Sequence, residues 1–274
     1  MMQAVSAQRD FSNHPCFDAG ARHSHGRIHL PVAPQCNIQC NYCNRRYGCP
    51  NENRPGVTTA VLEPDQALMH LNRQLKGTVK IAVVGIAGPG DPLCEPQRTL
   101  ETIRAVHAVH PEMLLCISTN GFNLPGYIHD FVEAGVTHVT VTVNAIDPEI
   151  GKLIYSSATL DGKTYQGIRA AEVILARQRE AVAGLTQTGM TVKINTVVIP
   201  GVNSHHVRAI AREMSRLGAD LMNCIAMMPL ADTPFESFKA PTAVEMRRIR
   251  KGASEFLLQM YHCKRCRADA VGLI

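Results

Sequence analysis

The chain has 274 residues, of which 45% are hydrophobic, and a formal net charge of +5. This length permits one α/β domain with a buried core, and the sequence contains neither an apolar signal segment nor the roughly 20 apolar residues that span a bilayer. We therefore expect a cytoplasmic protein with no membrane partner and, because its positive charges are scattered, no nucleic-acid partner.

Predicted strands and helices alternate along most of the chain. Apolar runs bounded by turn residues predict six strands, at residues 27–34, 79–86, 113–118, 137–143, 191–198 and 220–227. Segments with helical spacing predict helices at residues 63–75, 96–109, 125–134, 165–185, 204–217 and 242–261. Such alternation indicates a parallel sheet with right-handed crossovers.

The number of strand–helix units narrows the fold class. Six units are too few for a closed eight-stranded barrel. We therefore predict an α/β fold, an incomplete (βα)6 TIM-like barrel that is open on one side, with a doubly wound sheet as the alternative. Residues 1–274 form a single domain in this prediction. It comprises an N-terminal extension (1–26), a barrel core (27–240), and a C-terminal helix and tail (241–274).

The loops that follow the predicted strands carry the candidate binding residues, because parallel sheets bind ligands beyond the carboxyl ends of their strands. These residues are Gly88, Gly90, Asp91, Ser118, Asn120 and Asn144. Glycines at such a position let the backbone approach a ligand closely. The polar residues are also ordinary turn residues, and that interpretation stays open.

Ten cysteines without a secretory signal favour metal binding over disulfides, because a reducing cytosol keeps thiols free. Cys36, Cys40 and Cys43 are separated by three and two residues and directly follow the first predicted strand. Three thiolates with this spacing can bind three irons of a cubane and leave the fourth iron open for a cofactor or substrate. The alternative is a structural zinc site that recruits Cys49 as a fourth ligand.

This spacing, with Tyr42 before the last cysteine, resembles the signature of the radical S-adenosylmethionine superfamily. The resemblance implies a catalytic 4Fe–4S cluster on the three cysteines and S-adenosylmethionine (SAM) at the open iron. It also implies that the Gly88–Gly90–Asp91 segment binds the methionyl amine of SAM. The polar residues after the next two strands would then bind the ribose or the carboxylate.

Two further stretches, residues 43–56 and 263–272, resemble the family of nitrogenase iron–molybdenum cofactor biosynthesis proteins within that superfamily. The resemblance extends along the whole chain, which is expected to be the stand-alone form without the C-terminal carrier domain of many members. It implies two additional 4Fe–4S clusters as substrates. Methyl transfer from SAM and subsequent hydrogen abstraction would fuse them into an eight-iron, carbide-containing cofactor precursor.

The resemblance also implies the ligands of the two substrate clusters. One cluster would be bound by Cys16, Cys263 and Cys266, and the other by His29, Cys49 and Cys116. The alternatives are a satisfied strand histidine at His29 and a buried inert thiol at Cys116.

The roles of several nearby residues are less defined. The candidate bases of the reaction are Glu52, His23 and His25, which lie close to the ligands in sequence. Cys94 is either a transient ligand or a spare cysteine, and Cys224 is expected in the core.

The expected partners are carrier or scaffold proteins of the nitrogenase assembly pathway and a reductant such as ferredoxin. One alternative function is a radical SAM enzyme that uses auxiliary iron–sulfur clusters and acts on a small organic or peptide substrate. Another is a zinc or iron–sulfur binding module whose 263–266 hairpin and basic helix recognise nucleic acid.

Overall fold

Two β-sheets and a layer of helices make up the part of the chain that this computed structural model describes, residues 11–51, 60–263 and 266–274. The strands are β1 (Gly26–His29), β2 (Ile38–Cys40), β3 (Ile81–Ile86), β4 (Leu114–Thr119), β5 (Val136–Thr142), β6 (Tyr155–Leu160), β7 (Lys163–Gln166), β8 (Thr191–Val198), β9 (Leu221–Ala226), β10 (Leu258–Gln259) and β11 (Val271–Gly272). The α-helices are α1 (Pro64–Gln74), α2 (Pro96–Val109), α3 (Ile128–Glu133), α4 (Pro148–Ile154), α5 (Gly167–Thr186), α6 (Val207–Arg216) and α7 (Ala243–Ala253). None of these helices is both long and apolar enough to cross a membrane.

The larger sheet confirms the predicted α/β class. Its order is β10-β9-β8-β5-β4-β3-β1-β11, and six neighbouring strands, from β1 to β9, are parallel and follow one another in chain order. A doubly wound sheet reverses its strand order at a switch point, and no reversal occurs among the described strands. The architecture is therefore the open, partial TIM-like barrel. Short strands extend both edges, with β11 antiparallel to β1 and β10 parallel to β9.

Alternate residues of the sheet strands separate an apolar outer face from a polar inner face. In β8, Val192, Ile194 and Val198 belong to the main hydrophobic core, which the helices cover. Lys193 and Asn195 lie between them in sequence and line an interior cavity. The inner face of the sheet is therefore available for polar chemistry.

The C-terminal helix is shorter than the sequence predicts. It begins with a capping box, in which Thr242 and Glu245 satisfy each other's backbone N–H groups. It ends at Ala253 rather than at residue 261. The chain then turns to bury Leu257, and β10 adds to the sheet edge beside β9.

The smaller sheet and α4 are absent from the sequence-based prediction. The sheet has the order β2-β6-β7, and Ile38 in β2 pairs with Ala158 in β6. A strand of only three residues gives a weak local pattern, because its hydrogen bonds go to a partner that is distant in sequence.

Candidate active site

Cys36 lies where the chain has left β1 and runs beside the segment that follows β3. The Gly90 N–H donates to the Ala33 carbonyl at 2.6 Å, and the Asp91 N–H donates to the Gln35 carbonyl at 2.6 Å. A Cβ atom on Gly90 would lie 2.0 Å from the Gln35 carbonyl oxygen. Gly90 is therefore required where two backbones meet, and this contact positions the start of the cysteine loop.

The small sheet holds the other side of the loop. Cys40 ends β2 and pairs with Tyr155 of β6. The buried Tyr42 hydroxyl donates to Asn51 Oδ1 at 2.5 Å and accepts from Asn144 Nδ2 at 2.7 Å. Because Asn144 follows β5, these bonds tie the cysteine loop to the carboxyl end of the larger sheet.

Four cysteines form one group, here called the loop thiols: Cys36, Cys40, Cys43 and Cys49. Burial raises the pKa of Cys36 to about 12 and that of Cys43 to about 11, and it raises the pKa of Cys40 well above the ordinary value. The positive charge of Arg45 opposes this effect at all three. The metal-free thiols are thus protonated at neutral pH, and metal binding must release their protons.

The structure groups Cys49 with the loop cysteines and not with His29 and Cys116. Burial raises the pKa of Cys49, and the neighbouring Cys43 and Cys36 raise it further. A single 3₁₀ turn, Arg45–Tyr47, separates Cys43 from Cys49, which keeps the two close. Cys49 is not among the described residues that line the cavity around His29 and Cys116.

The Asp91 carboxylate accepts hydrogen bonds from other groups of the chain. It accepts hydrogen bonds from the Leu93 N–H at 2.9 Å, the Asn120 N–H at 2.6 Å and the Thr119 hydroxyl at 2.9 and 3.0 Å. Burial raises its pKa, and these hydrogen bonds oppose the increase. Asp91 therefore joins the ends of β3 and β4, and its oxygens face these backbone and hydroxyl donors rather than open space.

The predicted polar residues after β4 and β5 have different surroundings. Asn120 Nδ2 lies 2.8 Å from Asn37 Oδ1 and 3.7 Å from Cys36 Sγ. Asn144 Oδ1 accepts a hydrogen bond from the Val197 N–H at 2.8 Å, so the Asn144 side chain joins the end of β5 to β8. The Ser118 hydroxyl is buried, has no hydrogen-bond partner among the described residues and lines the interior cavity.

A second group of cysteines lies at the inner face of the larger sheet. Cys16, Cys116, Cys263 and Cys266, here called the interior thiols, line one cavity together with His29. Gly85 of β3 pairs with both His29 and Cys116 and lies between them. A Cβ atom at Gly85 would lie 3.1 Å from His29 Cδ2, so the glycine leaves room for the imidazole.

The N-terminal segment brings Cys16 to this cavity. Phe17 packs against His14 and His138, with ring centroids 4.3 and 4.7 Å apart. Burial raises the pKa of Cys16 to about 12, whereas the positive charge of Lys193 lowers it. The Cys16 thiol thus stands in apolar surroundings with one cation nearby.

The C-terminal tail is attached to β1. Arg27 donates to the carbonyls of Gly272 and Leu273 and to Cys266 Sγ, the last at 3.0 Å. His29 Nδ1 lies 2.9 Å from the Arg267 carbonyl, which can only accept, so the neutral ring carries its proton on Nδ1. Burial lowers the pKa of His29 to about 4, which keeps the ring neutral and leaves Nε2 available as a ligand atom.

The remaining predicted residues lie elsewhere. Glu52 is outside the described residues, and His23 and His25 are not among the described residues that line the interior cavity. The half-buried Cys94 donates its N–H to the Asp91 carbonyl, beside the strand-end segment. Cys224 is fully buried in the main hydrophobic core, as expected.

The sequence-based prediction missed several residues of the cavity lining, namely Thr140, Lys193, Asn195, Asn223 and Met260. The signal that could have found the three from β5 and β8 is strand alternation, since they occupy the positions between the outward-facing apolar residues.

The donor atoms of both cysteine groups fit iron–sulfur clusters, which are held by thiolates and, in some centres, by imidazole. Ligands of a cluster bind different irons and need not converge on one point. Within the described ranges, no three His, Cys, Asp or Glu side chains are arranged to hold a single metal ion.

Comparison with known families defines the class of protein. Residues 30–214 match the family model described as the radical SAM superfamily, which is more than half of the chain. The chain belongs to the radical SAM superfamily. Membership implies a 4Fe–4S cluster and SAM as cofactors, in agreement with the sequence spacing of Cys36, Cys40 and Cys43.

Similarity to curated proteins is more specific. The chain is 51% identical over 265 residues to the FeMo cofactor biosynthesis protein NifB of Chlorobaculum tepidum, covering 97% of this chain and 62% of that protein. It is 42% identical to NifB of Klebsiella pneumoniae, covering 95% of this chain and 57% of the relative. The chain therefore spans about three fifths of the length of these relatives.

Solved structures support the fold alone. The FeFe-hydrogenase maturase HydG from Carboxydothermus hydrogenoformans matches with a TM-score of 0.56 and 13% identity, covering 90% of this chain and 63% of the HydG chain. Methylornithine synthase (PylB) matches with a TM-score of 0.54 and 18% identity, covering 90% of this chain and 74% of its own.

Proposed function

We propose that this radical SAM protein acts in nitrogenase cofactor biosynthesis, where it fuses two 4Fe–4S clusters into an eight-iron, carbide-containing precursor. The observation that carries the proposal is the interior cavity, where five of the six residues expected to bind substrate clusters meet: Cys16, His29, Cys116, Cys263 and Cys266. The similarity to NifB relatives supports the same pathway.

In this proposal Cys36, Cys40 and Cys43 hold the catalytic cluster. When bound, that cluster supplies the electron that cleaves SAM to methionine and a 5′-deoxyadenosyl radical. Arg45 provides a positive charge beside the three thiolates, and Asn120 contacts Cys36 from the end of β4. The Ser118 hydroxyl, which has no hydrogen-bond partner among the described residues, lines the interior cavity, where it can donate to a ligand.

The interior cavity would hold the substrate clusters. A methyl group would pass from one SAM to a cluster sulfide, with S-adenosylhomocysteine as the leaving group. The radical from a second SAM would then take one hydrogen atom from that methyl group and become 5′-deoxyadenosine, and the remaining hydrogens of the carbon would leave as protons. Imidazole is a weaker ligand for such clusters than thiolate, so His29 suits a substrate that must later leave.

The ligand division remains that of the resemblance: Cys16, Cys263 and Cys266 for one cluster, and His29, Cys49 and Cys116 for the other. Cys49 differs from the other five proposed ligands because it lies near Cys43 and Cys36 and not at the interior cavity. We further propose a cytoplasmic location, a reductant such as ferredoxin, and carrier or scaffold proteins as recipients of the product.

The experiment compares Cys16→Ala with Cys36→Ala, and uses Cys224→Ala as a matched buried control. Each variant is reconstituted anaerobically and incubated with methyl-labelled SAM and dithionite. We expect Cys36→Ala to lose 5′-deoxyadenosine formation. Cys16→Ala should lower the ratio of label retained in the extracted cluster to 5′-deoxyadenosine formed. An unchanged ratio in Cys16→Ala would contradict the assignment of Cys16 to a substrate cluster.

A further inference from the structure

Lys193 is a buried lysine on the inner face of the larger sheet. It is the third residue of β8, points to the inner face and is only 6% exposed. It lines the same cavity as His29 and the interior thiols. Lysine is rarely buried, because removal of its charge from water is unfavourable.

The side chain is held toward the N-terminal ligand. Lys193 Nζ lies 4.7 Å from the centroid of the Phe17 ring, and Phe17 directly follows Cys16. A cation over an aromatic face is attracted by the ring quadrupole, which fixes the direction of the lysine.

Lys193 shares the cavity lining with residues from three other parts of the chain. These are Cys16 of the N-terminal segment, His29 of β1 and Cys263 of the C-terminal segment. The lysine therefore lines the same cavity as predicted ligands of both substrate clusters.

The composition of the cavity lining makes this charge significant. The described lining residues include four thiols and one imidazole, and no Asp or Glu. When the thiols bind iron they become thiolates, and an iron–sulfur substrate brings further sulfide. Negative charge then accumulates in a buried space, where an opposite charge is worth more than in water.

We propose that Lys193 is a positioning residue for the anionic iron–sulfur substrate, because it is the fixed positive charge around which the interior thiols hold that substrate. The inference rests on the proposed function. It adds a residue that is not a metal ligand and that acts through charge.

The test compares Lys193→Met, which removes the charge and keeps an unbranched side chain, with Lys193→Arg, which keeps the charge. Lys193→Gln serves as a second uncharged variant, and Lys76→Met removes an exposed lysine as the control. The metal-free thermal unfolding of each 274-residue chain is measured first, and the chain is then reconstituted with ferrous iron and sulfide. Iron content, release of iron to a ferrous chelator, and the reduction potential of each cluster signal by electron paramagnetic resonance are then recorded.

We expect wild type, Lys193→Arg and Lys76→Met to bind about twelve irons, four for each of three cubanes. Lys193→Met and Lys193→Gln should release about eight of them roughly tenfold faster, while the last four are released at the wild-type rate. In these uncharged variants, the reduction potential of the two faster-released clusters, measured while they are bound, should be more negative than in wild type. The reason is that a nearby positive charge favours the reduced form. A purely structural role on Phe17 would change the unfolding temperature and leave the potentials unaltered.

The possible failures are distinguishable. If wild type binds about twelve irons and the uncharged variants match it in release rate and potential, the role of Lys193 is wrong and the proposed function stands. If Lys193→Arg behaves like Lys193→Met, charge is not the cause and the inference is overturned. If wild type binds only about four irons, the proposed function fails, and this inference fails with it.

Discussion

Asp91 accepts hydrogen bonds from Leu93, Thr119 and Asn120, and thereby joins the strand ends around the cysteine loop. A carboxylate with this many partners has little remaining capacity for a ligand. Its contribution to the site is to hold Asn120, and through it Cys36, in place.

We predict that Asp91→Asn lowers the free energy of unfolding of the metal-free chain by about 1–3 kcal/mol, because an amide nitrogen faces donors that need an acceptor. Chemical denaturation measures the effect. Thr119→Val should cost less, since it removes only one of the partners. An Asp91→Asn chain that is as stable as wild type but binds SAM less tightly would contradict the structural role.

The contribution of Asp91 to the free energy of unfolding depends on pH, and its direction follows from the pKa of the carboxyl group. Burial raises the pKa of Asp91 in the folded chain above its unfolded value. The folded state then binds more protons between the two pKa values, so this group adds stability as the pH falls through that window and loses it as the pH rises. Denaturation at several pH values should show this pH dependence of the free energy of unfolding in wild type and not in Asp91→Asn.

Gly90 offers a second test at the residue scale. We predict that Gly90→Ala destabilises the chain by about 1–3 kcal/mol, because a Cβ atom would overlap the Gln35 carbonyl and force the cysteine loop away from β3. Gly126→Ala is the matched control, since nothing lies within 4 Å of a Cβ atom there. Thermal unfolding of both variants measures the difference, and equal effects would show that the backbone contact is not tight.

At the scale of elements, β1 and β11 couple the C-terminal tail to the interior cavity. Arg27 pairs with Gly272 in the sheet and holds the same segment through its guanidinium group. The His29 ring is fixed by the Arg267 carbonyl from that tail. The tail therefore supplies Cys266 and also orients a residue expected to bind the other cluster.

We predict that Arg27→Met loosens this tail, because its hydrogen bonds to Gly272, Leu273 and Cys266 are lost together. Amide hydrogen exchange in residues 270–273 should become at least about tenfold faster, as expected for a loss of roughly 1.4 kcal/mol of local stability. Arg27→Lys should lie between this variant and wild type. The exposed Arg73→Met is the control, and protection of the tail equal to wild type in Arg27→Met would contradict the anchor.

The sequence predicts those elements whose signal is local. The bounds of α2 and β8 agree with the predicted residues 96–109 and 191–198, because both segments are long and uniform in pattern. The β6–β7 hairpin and β2 were missed, since their stability depends on pairing with each other. The predicted end of α7 at residue 261 was wrong, because the burial of Leu257 overrides the helical spacing of the sequence.

The same distinction applies to the site. The spacing of Cys36, Cys40 and Cys43 is a local signal and was sufficient to predict a cluster. The interior thiols come from the N-terminal segment, β4 and the tail, so no spacing connects them, and only resemblance suggested their association. The role of Asp91 depends on which groups face it, which a sequence pattern does not contain.

At the scale of the whole molecule, β4 connects the two groups of cysteines. Cys116 and Ser118 alternate on its inner face and line the cavity, and Asn120 directly follows the strand and lies beside Cys36. At the rise of an extended strand, the four residue steps from Cys116 to Asn120 span at most about 13 Å. A radical formed near the loop thiols would therefore be generated within the same half-open barrel as the substrate it acts on.

The most direct test of the account is the iron content of anaerobically reconstituted chain, followed by incubation with methyl-labelled SAM and dithionite. We predict about twelve irons per chain, formation of 5′-deoxyadenosine, and label retained in the extracted cluster. About four irons, or 5′-deoxyadenosine without retained label, would contradict a role in cluster fusion and leave a radical SAM enzyme with a different substrate.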